Sequence, residues 1–418
     1  MQKDQKGKNR PLVLFFILIA LVALANGLSD SVYANYYKDV YKVTSVQRGF
    51  IEFPRELPGI LCVLLITLLS FLGDLRLALL AQLLALVGVT VLGLTTPPFS
   101  LMLVFLFINS LGMHLFMPLS DSIGMALAEP GQLGKRIGQY ASVKSAMGFL
   151  AALMVFFGFR SGFFSFHTPV KRVFLFSAFF FLLASVAAFL LVRCNRRPNA
   201  PKKKLQLIFR RQYKYYYLLT ILHGVQKQIG YVYGTWVIVD LLLKGADTTA
   251  LLSITASFLC IFFLNFLGRW MDKYGIKKMM YVDALTFIGV YIVYGFVVWG
   301  ITSEVLPLSG YTPVLIYVLF ILDRFSMQIG VFKSMYLRSI ALDPQEVTAT
   351  LATGTSLDHC VSIVAAILGG YVWAQWGSQW VFFMAAVFSM GNLIIARLAD
   401  PEKERAYALQ YRKEHGIE

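Results

Sequence analysis

Twelve long apolar stretches set the terms on which this chain can fold. They run roughly over 11–36, 46–70, 75–95, 99–127, 136–160, 172–193, 215–243, 248–267, 278–300, 312–340, 347–373 and 378–398. A stretch of about 20 apolar residues crosses the ~30 Å hydrocarbon core of a bilayer as one helix. In lipid, only helices and closed barrels satisfy their own backbone N–H and C=O groups. A membrane β-barrel would show short alternating runs, whereas Leu61–Leu69 and Phe174–Leu191 are continuously apolar. The bulk agrees: 58% of the 418 residues are hydrophobic, 14% are charged, and the mean hydropathy is +0.67. The expected fold class is an all-α integral membrane protein with twelve transmembrane helices. The longest gap, 194–214, is rich in Arg, Lys and Pro and reads as a basic cytoplasmic linker. It divides a six-helix bundle at 1–193 from another at 215–418.

The net charge of +16 and pI of about 9.6 would suggest nucleic acid in a soluble protein. In a multi-pass chain, Lys and Arg instead collect on the cytoplasmic side. With the N-terminus placed inside, and span ends counted with their loops, the inside segments hold 26 Lys and Arg and the outside loops hold 7. This places both termini in the cytoplasm, in a cell membrane, with no nucleic-acid partner. The start, Lys3 to Arg10 before an apolar run ending in Ala23-Leu-Ala25, imitates a signal peptide. The run continues through Asn26, so it is taken as the first span. Cys62, Cys194, Cys260 and Cys360 show no metal-ligand spacing, and no disulfide is expected.

The two halves carry weak signs of repetition. At an offset of 214, Glu129-Pro130 meets Asp343-Pro344, Asn109 meets Asp323, Ser110 meets Arg324, His114 meets Gln328, and Lys144 meets Asp358. At an offset of 198, Asp74 meets Asp272. Parallel repeats of this kind are a common plan among secondary transporters.

Between spans eight and nine lies Gly268-Arg-Trp-Met-Asp272-Lys273-Tyr-Gly275-Ile-Lys277-Lys278. This loop resembles the signature of the major facilitator superfamily. The corresponding first-half loop, Ser70-Phe-Leu-Gly73-Asp74-Leu-Arg76-Leu77, reads as an eroded copy that keeps Asp74 and Arg76 but lacks the second glycine and paired bases. The resemblance implies two six-helix bundles around a central cavity, working by alternating access, with spans three, six, nine and twelve on the lipid side. It also implies that Asp272 and the bases, Lys273 among them, form a gate network. On the residues alone, Gly268 and Gly275 allow tight turning, and Asp272 is placed at the N-terminal end of span nine, where the helix dipole favours an acid.

Ionisable groups inside a bilayer cost about 2.5–3.5 kcal/mol even on lenient scales, so they mark function or pairing. In span seven, Thr220, His223, Lys227, Tyr231 and Thr235 recur at helical spacing and form one polar stripe. In span ten, Asp323 and Arg324 are adjacent and point about 100° apart. Arg324 and Gln328 are expected to line the cavity, facing Ser110 and His114, while Asp323 turns to a neighbour such as His359. In span two, Glu52, Arg55 and Glu56 share a face near Asp30 of span one, as two acids around one Arg. Lys144 and Asp358 are each expected to find a partner across the interface between halves. Asn26, Asp30 and Tyr33 share a face of span one. The expected substrate contacts are thus Asn26, Ser110, His114, His223, Lys227, Tyr231, Arg324 and Gln328. The proton-coupling candidates are Asp30, Glu52, Glu56, Asp323 and Asp358. Gate or structural roles fall to Arg55, Asp74, Arg76, Lys144, Gly268, Asp272, Lys273 and Gly275.

The leading expectation is a secondary active transporter for a small organic solute, anionic or zwitterionic given Lys144, Lys227 and Arg324, coupled to protons. The expected partners are the bilayer, the solute and H⁺, around a monomer without cofactor or metal. No nucleotide-binding Gly-x-x-x-x-Gly-Lys loop is visible. An aromatic content of 15% keeps a multidrug exporter as the alternative, though span five, at 138–158, lacks the proline such exporters often carry there. An intramembrane enzyme or a transport-dead sensor is the alternative of another class; no zinc-protease His pair or serine elbow supports catalysis.

Overall fold

The computed structural model describes residues 2–129, 132–194 and 208–417. Residues 195–207, most of the expected linker, lie outside these, as does Pro130 of the repeat comparison. The described chain is helical throughout, with no β-strand. Ten of its helices are long and apolar enough to cross a membrane. The expected spans 46–70 and 215–243 are helical too, but they are not among those ten. The first, α3 (Ser45–Leu68), carries Pro54 and Pro58 among its charges. The second is a short α8 (Lys214–Gln228) that continues as π-helical turns over Ile229–Gly234 and Val237–Leu241.

Contacts divide the chain into two compact units. The first holds residues 1–42, 54–204 and 244–254. Its helices are α1 (Gln2–Asp30), α2 (Tyr33–Tyr41), most of α3, α4 (Asp74–Leu94), α5 (Phe99–Ala126), α6 (Leu133–Arg160) and α7 (Arg172–Cys194). The α1 helix packs on α6 and α7, and α4 packs on α5 and α7. The closeness of α4 to α5 depends on glycine. A Cβ at Gly88 would lie 2.6 Å from the Asn109 nitrogen, so the backbones meet where any side chain would separate them. The segment 244–254 joins this unit through Asn35, whose amide nitrogen donates to the Lys244 carbonyl at 2.9 Å and whose oxygen accepts from Thr249 at 3.2 Å.

The second unit holds 43–53, 205–243 and 255–418. Here α8 packs on α12 (Glu346–Trp376) and α13 (Ser378–Leu398). The remaining helices are the later part of α9 (Ala246–Thr302), α10 (Tyr311–Ile329), α11 (Phe332–Ile340) and a terminal α14 (Pro401–His415), which packs on α11. The segment 43–53 joins through Ser45, whose hydroxyl donates to the Gly370 carbonyl at 3.3 Å, and through Arg48, which lies over the Trp236 ring at 5.9 Å. Thus α3 changes unit at Phe53 and Pro54, and α9 changes unit at Ile254 and Thr255.

The turns at 73 and 275 correct the loop reading. Gly275 has φ 74° and ψ 170° and breaks α9 into two helices. Gly73 has φ 76° and ψ 161° immediately before α4. The matching backbone makes Gly73 the counterpart of Gly275, so the first-half loop does retain the second glycine. Asp74 then stands where Ile276 stands, and Arg76 stands where the base Lys278 stands; the 198 offset pairing Asp74 with Asp272 was wrong. Asp272 precedes Gly275, so it ends the first helix of α9 and does not begin the second. The helix-dipole argument therefore belongs to Asp74, in the first turn of α4.

Candidate functional site

In the first unit, the end of α1 and the start of α2 bring polar groups toward α3 and α5. Asp30 lies 3.9 Å from Arg55, whose guanidinium sits over the Tyr33 ring at 5.6 Å. The Tyr33 hydroxyl donates to Asn109 Oδ1 at 3.1 Å, and Asn109 Nδ2 donates to the Ala85 carbonyl at 3.1 Å. At the next position of α5, Ser110 Oγ donates to the Arg55 carbonyl at 2.5 Å and lies 3.1 Å from Nδ1 of His114, one turn further on. Ligand atoms of Glu56 and His114 come within 4.8 Å of each other. Asn26 has a buried amide oxygen with no hydrogen bond among the described residues.

The expected Glu52–Arg55–Glu56 cluster is divided. Glu52 is buried against Arg48 at 2.6 Å in the second unit, while Arg55, past Pro54, pairs with Asp30 in the first. Lys144 also departs from expectation. Within its own unit it donates to Ser120 Oγ at 3.2 Å and lies 3.8 Å from Asp121. Asp74 accepts from Ser122 at 2.6 Å.

The second unit contains a continuous buried polar chain. The Tyr291 hydroxyl lies 2.7 Å from the Gln226 carbonyl and 2.9 Å from Asp323 Oδ1. Gln226 Nε2 donates to Ser389 Oγ at 2.8 Å. Asn392 Nδ2 donates to Gln226 Oε1 at 3.3 Å and to Asp283 Oδ2 at 2.9 Å. All six residues are buried. Spans nine and twelve thus each carry an interior polar face, through Asp283 and Tyr291 and through Ser389 and Asn392, while Phe296 and Val387 on the same helices are exposed. Asp323 turns to Tyr291, and not to His359. One tyrosine proton cannot serve two acceptors, so both contacts are complete when Asp323 is the carboxylic acid and donates to Tyr291.

Beside this chain, Arg324 lies over the rings of Tyr231 at 3.9 Å and Phe320 at 4.5 Å. Its Nη1 is 3.7 Å from Asp323 Oδ2, too far for a hydrogen bond. Both atoms are buried without a hydrogen-bond partner among the described residues. Lys227 and Asp358 form an ion pair within the unit, which replaces the expected inter-half partner of Asp358. Of the span-seven stripe, Thr220 is buried and His223 half-buried, while Lys227, Tyr231 and Thr235 are less buried than the residues around them. Lys227 holds Asp358, and Tyr231, within the π-turns that begin at Ile229, is 53% exposed beneath Arg324. His223 packs near Phe287, its Nδ1 buried and without a partner. The Gln328 side chain is half-buried.

In the signature loop, Lys277 Nζ donates to the carbonyls of Ala399 and, at 3.1 Å, Arg397, tying α9 to the end of α13. Lys273 lies over Tyr274 at 5.2 Å, and Asp272 is exposed. Gly268 sits within helix with open space where a Cβ would go.

A helical, multi-pass membrane protein with buried ionic groups is the class these features define. The sequence profile of the Major Facilitator Superfamily matches residues 15–341. The chain belongs to that family, and so to the membrane transporters. A search of curated proteins finds no significant match. Among solved structures, a mutant of the nucleoside transporter NupG is similar at a TM-score of 0.72 and 14% identity, over 93% of this chain and 98% of that one. A D-xylose–proton symporter is similar at 0.65 and 16% identity, over 94% and 98%. A POT family transporter in complex with 5-aminolevulinic acid is similar at 0.71 and 13% identity, over 92% and 95%. At these identities the likeness concerns the fold.

Proposed function

We propose that this protein is a secondary active transporter that moves a small anionic or zwitterionic organic solute by alternating access, coupled to protons. The observation that carries the reading is Arg324. Its guanidinium is held between two aromatic rings, with one nitrogen buried and unpartnered beside a carboxyl group too distant to bond it. A buried guanidinium whose ion pair is too long for a hydrogen bond keeps donors to offer, and those donors, set in parallel, match a carboxylate or phosphate. Stacking on Tyr231 and Phe320 fixes the plane in which those donors point.

Asp323 supplies the coupling. As the neutral acid it completes the Tyr291 contacts and leaves Arg324 available to an anion. As the carboxylate it competes for Arg324 from 3.7 Å. Proton and solute therefore favour each other's binding. His223, Lys227 and Gln328 complete the solute contacts in the second unit, and Asn26, Ser110 and His114 supply those of the first. Asp30, Glu52, Glu56 and Asp358 serve as further titratable positions. The gate roles belong to Arg55, Asp74, Arg76, Lys144, Gly268, Asp272, Lys273 and Gly275. The protein acts as a monomer in the cell membrane with both termini in the cytoplasm, as its 26-to-7 distribution of Lys and Arg favours, and its bundles are 1–193 and 215–418, joined by the linker 194–214.

The test is uptake into proteoliposomes of a panel of amino acids, monocarboxylates and sugar phosphates, with and without an inward proton gradient. At least one anion should accumulate in response to the gradient, and Arg324→Ala should abolish it in a protein of unchanged thermal stability. Accumulation of that anion by Arg324→Ala would remove Arg324 from the site.

A further inference from the structure

A cavity in the second unit is lined by none of the residues proposed for the solute. Its volume is about 640 Å³, and Arg210, Arg211 and Lys214 line one side of it. Leu342, Leu398 and Tyr407 line it as well. The cavity sits at helix ends: Lys214 opens α8, Leu398 closes α13, and Leu342 follows α11. The ends of spanning helices meet the level where hydrocarbon gives way to headgroups, and these ends lie on the same side as the signature loop, which Lys277 ties to Arg397 and Ala399.

The ionic inventory of this cavity is unbalanced. Its acids, Asp400 and Glu404, are both engaged. Asp400 caps α14 by accepting from the Lys403 nitrogen at 3.2 Å and pairs with Lys403 Nζ at 3.3 Å. Glu404 accepts from the Tyr336 hydroxyl. Arg210 is neutralised by Glu346, which holds its guanidinium above the ordinary range. Glu346 also accepts from Tyr213 at 3.1 Å, a phenol that burial pushes up to about 12 and so keeps a donor at physiological pH. Arg211 and Lys214 remain; among the described residues their side chains form no ion pair or hydrogen bond, and the Lys214 ammonium lies over the Tyr215 ring at 4.6 Å. Beside them Leu398 and Tyr407 are 61% and 53% exposed. Two unengaged bases with exposed apolar side chains, in a concave site at the membrane boundary, match a phosphate joined to an acyl chain.

We infer that this cavity is a binding site for the headgroup of an anionic phospholipid. Arg211 and Lys214 take the phosphate, and the glycerol and first acyl carbons lie along Leu398 and Tyr407. It differs from the basic belt common to membrane proteins, where each Lys or Arg contributes about 1 kcal/mol as a diffuse attraction. Here the bases line one concave volume, and the acids that would otherwise answer them are already engaged. The bound lipid would tie the end of the linker to α14. The inference stands independently of the transported solute.

The test is thermal unfolding of the full-length protein in detergent, with phosphatidylglycerol, phosphatidylcholine or inorganic phosphate added. Phosphatidylglycerol should raise the midpoint by about 2–4 °C more than phosphatidylcholine, and inorganic phosphate should leave it unchanged. The Arg211→Gln/Lys214→Gln variant should lose the difference while keeping its midpoint in phosphatidylcholine. A difference that persists in the variant, or is missing in the parent, overturns the inference. So does an equal shift from inorganic phosphate, which would make the cavity a site for soluble anions. Should the variant fold poorly, native mass spectrometry of the parent from an equal mixture of the two lipids decides: retention of phosphatidylglycerol over phosphatidylcholine supports the site, and equal retention overturns it.

Discussion

Arg324 and Tyr291 carry the chemistry at the residue scale. Tyr291→Phe removes a hydroxyl whose two neighbours, the Gln226 carbonyl and Asp323, are both buried. The expected loss is about 1–3 kcal/mol of stability, read as a lowered midpoint in thermal or denaturant unfolding; an unchanged midpoint would show that the contacts carry no weight. Arg324→Lys keeps the charge and loses the planar stack on Tyr231 and Phe320. Anion affinity should therefore fall by about tenfold or more, and retention of full affinity by the Lys variant would deny the stack a role. The charged residues were legible in the sequence because ionic groups are rare within apolar runs, so Lys227, Asp323, Arg324 and Asp358 stood out. Their partners were not. Whether Asp358 reaches Lys227 or Asp323 reaches Tyr291 depends on how helices distant in sequence rotate against one another, and spacing within one helix does not fix that. Tyr291 and Asp283 are single polar residues on a largely apolar helix and gave no stripe. Ser389 and Asn392, three apart on one face of α13, were a signal that could have been read.

At the scale of elements, most helix boundaries followed the apolar runs to within a few residues, because burying an unsatisfied backbone in lipid leaves little choice; the exceptions are α1, which starts at Gln2, and the breaks at 31–32 and 330–331 that divide spans one and ten. Phase was the harder quantity. The span-seven stripe assumed 3.6 residues per turn throughout, whereas π-turns run from Ile229 onward, and Lys227, Tyr231 and Thr235, four apart, stay on the less buried side through them. No proline or charge at that point announces the π-turns. The signature loop separates its two glycines sharply. Gly275 occupies a backbone conformation open essentially to glycine alone, while Gly268 is helical with open space around it. Gly275→Ala should cost about 1–3 kcal/mol, whereas Gly268→Ala should be neutral or stabilising by up to about 1 kcal/mol. Unfolding midpoints of the two variants check this directly, and equal effects would contradict the backbone assignment. Gly73→Ala should behave like Gly275→Ala if the two loops are true counterparts.

For the whole molecule, membership of the family was readable from one loop and a count of apolar runs, and the sequence profile over 15–341 bears it out. The assignment of 43–53 and 244–254 was not readable, since each belongs by packing to a unit other than that of the helix it begins. Orientation is the proposal to test at this scale. Single cysteines placed at Ser309 and Lys413, both exposed, in a background without the native four, should react differently in intact cells. An impermeant maleimide should label position 309 from outside and reach position 413 only after lysis; the reverse pattern would invert the topology.

The central claim is that the buried guanidinium of Arg324 exists to receive an anion, and that a proton on Asp323 releases it to do so. The most direct measurement is a thermal-shift panel of anionic, zwitterionic, neutral and cationic solutes against purified protein, at an acidic and an alkaline pH. The account expects anions or zwitterions to stabilise the parent protein, more strongly at acidic pH. It expects no response from Arg324→Gln, and a response from Asp323→Asn that no longer depends on pH. Stabilisation confined to neutral or cationic solutes, or an Arg324→Gln protein that answers the same anions as the parent, would contradict it.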